Sequence, residues 1–162
     1  MTDVAITVLP AAPLHALELW SEPAKAAARI KKACGVELPS LGRAMGKAGM
    51  TLIRFEPAVW LVEGDPTKLS AVLGDDGALT AIGGGIVRVE LSGPRWRRLL
   101  MEGAVFDAEG PGFAPGYSAA TVIDHVNLRL HVVSEGACLA YVPASFAADL
   151  IAFWETASRA LD

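Results

Sequence analysis

The chain has 162 residues, 52% of them hydrophobic, and a net charge of −4 at pH 7, a length that supports one domain with a core needing neither metal nor disulfide. The acidic balance, with pI near 5.4, excludes a general nucleic-acid or anionic-membrane binder, because phosphate neutralisation needs surplus Lys and Arg. No apolar run approaches the ~18 residues that span a bilayer, so the mean hydropathy of +0.39 reflects amphipathic elements and implies an apolar surface offered to a partner.

The N-terminus, Met-Thr-Asp-Val, has no cation before Lys25, so it lacks the basic start of a secretory signal. Val4 to Leu9 alternates weakly and reads as a strand, followed by an apolar leader that contains His15. Ser21-Glu22-Pro23 opens a helix to Cys34, with Ala27, Ile30 and Cys34 on one face, and Gly35 stops it. Leu38 to Gly49 is punctuated by Gly and Pro and reads as a connector with a helical turn. Thr51 to Phe55 and Val59 to Glu63 form a hairpin folded at Glu56-Pro57-Ala58. Trp60, two residues from Val62, shares its face as a core anchor would. Asp65 and Pro66 then start a helix carrying Leu69, Val72 and Leu73, closed by Gly74.

Ile82 to Leu91 is the next strand. Gly83-Gly84-Gly85 leads into it with no lysine at phosphate-loop spacing, so a bulge or close backbone approach is expected rather than a phosphate site. Ser92 is a cap and Pro94 a first-turn residue for a helix to Glu102 bearing Trp96, Leu99 and Leu100, which Gly103 ends in a left-handed conformation. Arg95, Arg97 and Arg98 read as a solvated face, with Arg98 and Glu102 at ion-pair spacing. The loop Asp107 to Ser118 carries Phe113 and Tyr117 among Gly110, Pro111, Gly112, Pro115 and Gly116. Such a loop either folds back on its own side chains or serves recognition, and on the second reading Phe113 and Tyr117 are the candidate partner contacts.

Gly116-Tyr117-Ser118-Ala119-Ala120 lacks the strand-before, helix-after context of a nucleophile elbow. Strands are expected near Ala119 to Ile123, Val126 to Val133 and Cys138 to Val142. Asp124 and His125, adjacent on a strand-like segment, would point to opposite faces and form no base-orienter dyad. His131 falls on the side away from Val126 and Leu128. After Pro143, a last helix presents Phe146, Leu150, Phe153, Trp154, Ala157 and Leu161 as a wide apolar stripe. No Cys/His cluster has metal-ligand spacing. Cys34 and Cys138, far apart and without an export signal, read as small buried hydrophobes in a cytoplasmic protein. No catalytic residue and no metal ligand is assigned.

Both halves run strand, capped helix, strands, helix, so one α+β domain over 1–162 is expected, with pseudo-duplicated halves at about 1–80 and 81–162 and mainly antiparallel sheets. The segments L-S-G-P-R-W-R-R-L-L (Leu91 to Leu100), Phe106-Asp107, G-F-A-P-G (Gly112 to Gly116), Thr121 and A-S-F-A-A-D-L (Ala144 to Leu150) occur in an order and spacing that resembles the gamma subunit of heterotetrameric sarcosine oxidase. The similarity runs from about Leu38 to Ala160. It implies the folate-binding fold of the glycine-cleavage aminomethyltransferases and a non-catalytic assembly role in a folate-linked sarcosine (methylamine) oxidase complex. In that family an alpha-type partner subunit carries the NAD and tetrahydrofolate sites and a beta subunit carries FAD and FMN, so the resemblance implies no cofactor on this chain. Three features depart from the pattern: Ala81-Ile82-Gly83-Gly84 where relatives have an Asp-x-Ser type element, Pro143 where they often have a basic residue, and a shorter N-terminal region. The alternative is a free-standing folate or small-molecule binder related to aminomethyltransferases; a third is a homo-oligomeric domain without ligand. The isolated chain is expected to lack oxidase and aminomethyltransferase activity and to form a homo-oligomer or bind a folate-fold partner.

Overall fold

The computed structural model describes residues 3–20, 23–47 and 49–161. Over these residues the chain is α+β, with two five-stranded sheets in which every pairing is antiparallel. No described helix is long and apolar enough to cross a membrane. The chain divides into two compact units, Ala12–Gly84 and Met1–Ala11 with Gly85–Asp162. The division departs from one near residue 80 by one strand. β1 (Ala5–Val8) pairs across the chain with Val89 to Ser92, so the N-terminus belongs to the later unit.

The Ala12–Gly84 unit comprises β2 (Leu14–Leu19), α1 (Pro23–Cys34), β3 (Ala44–Lys47), β4 (Met50–Glu56), β5 (Val59–Glu63), α2 (Thr67–Leu73) and β6 (Gly77–Ala81), in sheet order β3-β4-β5-β2-β6. The hairpin forms as expected, with Pro57 and Ala58 in the turn and a register shift between Arg54 and Glu56. Register places Leu17 opposite Trp60 and Leu52 opposite Val62. Directly opposed residues share a face, and this one packs on Ala26 and Ile30 of α1 and on Leu69 and Leu73 of α2. The buried stripe of α1 is therefore Ala26 and Ile30; Ala27 and Cys34 are half-buried, so the helix is turned slightly from the expected face. The expected cap at Ser21-Glu22 lies outside the described residues. Before α2, Asp65 Oδ1 accepts from the backbone N–H of Thr67 at 3.0 Å and from its hydroxyl at 2.6 Å, but the N-cap position falls on Pro66 without a side-chain bond, one residue later than expected.

Three strands of this unit differ from the sequence reading. The apolar leader is β2, the connector holds β3, and Gly77–Ala81 is β6. Gly77 is required where β6 begins, since a Cβ there would lie 2.1 Å from the carbonyl oxygen of Glu18.

The other unit adds β7 (Ile86–Ser92), α3 (Trp96–Met101), β8 (Ser118–Ile123), β9 (Val126–Ser134), β10 (Ala137–Pro143) and α4 (Ala144–Arg159), in sheet order β1-β7-β10-β9-β8. Gly83–Gly85 forms a short 3₁₀ turn before β7 instead of part of the strand. The apolar face of this sheet, with Leu91, Val89, Leu130, Val132, Cys138 and Ala140, buries Leu99, Leu100, Leu150 and Trp154. Each such side chain contributes roughly 1.5–3 kcal/mol by leaving water. Ser92 lies in β7 and does not cap α3, whose N-cap position is Arg95 without a side-chain bond. Gly103 does adopt the left-handed conformation (φ 73°) expected after that helix.

The two units share one topology. In each, a strand (β2 or β7) leads to a helix, a three-strand meander follows, and a second helix packs on the same face. The meander lies beside the first strand, and a final edge strand closes the order. That edge is β6 in one unit and β1, from the opposite end of the sequence, in the other.

Candidate functional site

The connection from α3 to β8, residues 102–117, is organised by Arg97. Its guanidinium donates to the carbonyl oxygen of Ala108 at 2.8 Å and to that of Phe113. It also lies 4.3 Å from the centroid of Trp96 and 5.9 Å from that of Phe113, and 3.6 Å from Glu135 Oε2. Trp96 in turn donates Nε1–H to the carbonyl of Glu135 at 2.9 Å, in the turn between β9 and β10. An arginine serves here because its planar fork can bond two carbonyls and stack at once, which a lysine cannot do. Arg97 is thus a clamp, in contrast to the solvated face expected of it. Arg95 pairs with Asp3 at 2.9 Å and donates to the Leu161 carbonyl. Arg98 is exposed, and no Arg98–Glu102 pair forms among the described residues, because the helix ends at Met101 and Glu102 turns extended (ψ 114°).

The clamp decides the fate of the loop aromatics. Phe113 is buried at 6% exposure, 5.1 Å from Phe106 in an edge-to-face pair and 6.2 Å from Trp96. Its ring is therefore not displayed to a partner. The physical reason is that Arg97 holds the carbonyls of Ala108 and of Phe113 itself, which draws the loop onto the core that the aromatic completes. Tyr117 is half-buried against the same core; its carbonyl accepts from the Val132 N–H at 3.0 Å, and its own N–H donates to the Ala114 carbonyl at 2.9 Å. Of the two readings of this loop, folding back on its own side chains is what Phe113 does.

Other singled-out residues scatter. Asp124 and His125 are the two residues of the β8–β9 turn, both with positive φ (46° and 66°). They do not lie on a strand, as expected from their apolar flanks; a two-residue hairpin needs that left-handed pair to match strand twist. His131 does stand on the side away from Val126 and Leu128. His15 lies on β2 beside Val62, with Nδ1 buried and without a hydrogen-bond partner among the described residues. Ser118 starts β8 and is buried, and no helix follows it. Trp60 is buried, as expected, with Nε1 donating to the Pro39 carbonyl at 3.2 Å and Arg54 over its ring at 4.7 Å.

Burial pushes the Cys138 thiol up to about 12. Burial also raises Cys34, against the opposing charge of Lys68. Neither supplies a thiolate nucleophile near neutral pH. No group of His, Cys, Asp and Glu side chains able to hold a metal occurs among the described residues.

The sheet face of β7, β8, β9 and β10 turned away from α3 and α4 is the polar one. Tyr141 stands directly opposite Arg88 on β7 and Arg129 on β9, and Leu139 stands between Glu90 and His131, which itself opposes Ser118. Arg88 donates to the Pro10 carbonyl at 2.6 Å. Sequence patterning touched this face only at His131, placed on the side away from Val126 and Leu128. What signals it is the alternation of β7 and β9, where Arg88 and Glu90, and Asn127, Arg129 and His131, fall between apolar residues.

Two antiparallel five-stranded sheets of matching order, each carrying two helices, define the aminomethyltransferase-like fold. The chain is similar in structure to a chain of heterotetrameric sarcosine oxidase from Corynebacterium sp. U-96, solved in complex with pyrrole 2-carboxylate, with TM-score 0.84 and 18% identity over 96% of this chain and 84% of that one. It is also similar to the glycine cleavage system aminomethyltransferase T of Bartonella henselae, with TM-score 0.66 and 14% identity, covering 94% of this chain and 45% of that one. No family model matches the sequence, and no curated protein sequence matches it.

Proposed function

We propose that the chain is a non-catalytic accessory subunit of a folate-linked sarcosine oxidase-type complex, seated on a larger, alpha-type subunit of the same fold. The observation that carries this reading is the extent of the likeness. The chain matches 84% of a heterotetramer chain at TM-score 0.84, but 45% of the aminomethyltransferase at 0.66. The internal geometry is in keeping with it. The chemically capable groups are occupied otherwise: Arg97 clamps a loop, Asp124 and His125 make a turn, and Cys138 is a protonated core thiol. On this reading tetrahydrofolate, NAD, FAD and FMN belong to the partner subunits, and the complex works in sarcosine breakdown in the cytoplasm.

The test is purification of an affinity-tagged chain from its native cell. Co-elution of flavin absorbance and of two larger subunits, with sarcosine-dependent turnover in the pooled fraction and none in the separated chain, is the expected result. A tagged chain that elutes alone, and that binds tetrahydrofolate in calorimetry, would instead favour a free-standing folate binder.

A further inference from the structure

We infer that Trp20 and Asp75 of the Ala12–Gly84 unit form a docking point for an arginine side chain of a partner protein. Trp20 follows β2 with 63% of its surface exposed, whereas the three other tryptophans, Trp60, Trp96 and Trp154, are at most 2% exposed. Its ring is nonetheless fixed. The backbone N–H donates to the Asp76 carbonyl at 3.1 Å, and Nε1–H donates to the Asp75 carbonyl at 2.9 Å. An aromatic held this way loses little freedom on binding. Because the indole N–H is already used, the exposed part offers only its π face and edge, and that restricts the recognising group to apolar or cationic chemistry.

Charge selects between those two. Asp75, whose backbone carbonyl accepts from the indole, is exposed and has no hydrogen bond or ion pair through its carboxylate among the described residues. Arg29 of α1 is committed to Asp76 and to the Val72 carbonyl. Elsewhere the chain stacks its own arginines on its indoles, Arg54 on Trp60 at 4.7 Å and Arg97 on Trp96 at 4.3 Å. Among the described residues no arginine or lysine is stacked on Trp20. A guanidinium fits the vacancy better than an ammonium, since its flat face stacks while its edge reaches a carboxylate. The inference does not rest on the identity of the complex proposed above.

The test uses the full chain and two blocked tripeptides, Gly-Arg-Gly and Gly-citrulline-Gly, the second a neutral match in shape. In titrations followed by the four indole N–H signals, the arginine peptide should shift the Trp20 signal alone, and the citrulline peptide should leave it nearly still. Asp75→Asn, a change at an exposed carboxylate, should weaken the response about three- to fivefold, the scale of an exposed ion pair. Trp20→Leu, followed by the backbone N–H signal of Asp75 that should also shift in the wild type, should lose the response, with thermal melting confirming that the variant is folded. Equal shifts from both peptides, shifts spread over all four indoles, or an unchanged response in Asp75→Asn would overturn the inference.

Discussion

The two units solve one topological problem with different materials. Each must carry the chain from its first helix back to the far edge of a five-stranded sheet, and strand order is the same in both. In Ala12–Gly84 the crossing is short, and Trp60 pins it through the Pro39 carbonyl. In the other unit it spans residues 102–117, and pinning passes to Arg97, which holds two carbonyls and packs between Trp96 and Phe113. The second helices differ as well: α2 has 7 residues and α4 has 16. Ladder pairing fixes the order of strands, while the helices and crossings are free to vary as long as each sheet face is covered. The longer helix and crossing bring more large side chains into one core, so substitutions there should cost more than their counterparts.

The largest effect follows from that difference. Trp154, fully buried on α4, should lose about 3–5 kcal/mol on replacement by alanine, against roughly 2–5 for Leu69→Ala on α2. Denaturant unfolding of both variants would measure the gap, and a larger loss at Leu69 would break the comparison. Trp154→Phe should cost far less than the alanine variant. Its indole N–H is buried without a hydrogen-bond partner among the described residues, and removing an unmatched donor offsets part of the lost volume.

Next come the two arginines that stack on buried indoles, Arg97 on Trp96 and Arg54 on Trp60. Arg97→Ala leaves the Ala108 and Phe113 carbonyls without their donor and unstacks two rings, a loss of about 2–3 kcal/mol. Arg97→Lys should recover little of it. Arg54→Ala, which removes a ring contact on Trp60 and bonds to the turn carbonyls of Glu56 and Pro57, should cost about 1 kcal/mol. Protease nicking between residues 102 and 117 in Arg97→Ala, absent from Arg54→Ala, would show that the longer crossing depends on its clamp. Resistance to nicking would mean the loop aromatics hold it unaided.

A smaller contrast lies at the helix ends. Gly35 and Gly103 both sit at positive φ, 70° and 73°, after the first helix of their units. Alanine at either costs about 1–2 kcal/mol for the left-handed backbone. At Gly103 the new methyl would also stand 3.0 Å from Phe153 Cζ, whereas at Gly35 the nearest atom is Lys47 Cδ at 3.9 Å. Gly103→Ala should therefore lower the melting temperature further than Gly35→Ala.

These contrasts mark what the sequence made legible. Strands and helices with steady periodicity were readable: the β4–β5 hairpin, α2, α4 and the three strands after residue 117. β2 was hidden because Leu14, Leu17 and Leu19 are buried at mixed intervals of three and two, which blurs the period of a strand. β3 and β6 were hidden by composition, since A-M-G-K and G-A-L-T-A are poor in β-branched and aromatic residues and are placed by pairing rather than propensity. At the candidate site, local pattern marked Phe113 and Tyr117 but could not tell inward from outward. That depended on Arg97, sixteen residues before Phe113, whose neighbours in sequence read as surface charge. The polar face around Tyr141 arises from residues on four strands, which no local window brings together.

The smallest predicted effect is electrostatic and falls on Ala12–Gly84. Hydrogen bonds from the Thr67 hydroxyl and backbone N–H hold the Asp65 carboxyl below its ordinary value, and Lys31 does the same for Glu37. For a carboxyl lowered by folding, the stability it confers is complete above its unfolded-state pKa and disappears as pH falls through the folded one. Asp65→Asn keeps an acceptor at the α2 start and removes only the charge, so wild type should exceed it slightly at neutral pH and converge with it on acidification. Glu37→Gln should behave alike, and added salt should shrink both differences, because both carboxylates are open to solvent. Urea midpoints measured from neutral pH down through the carboxylate range would read the convergence. A difference that persists in acid would assign the Asp65 contribution to hydrogen-bond geometry rather than charge.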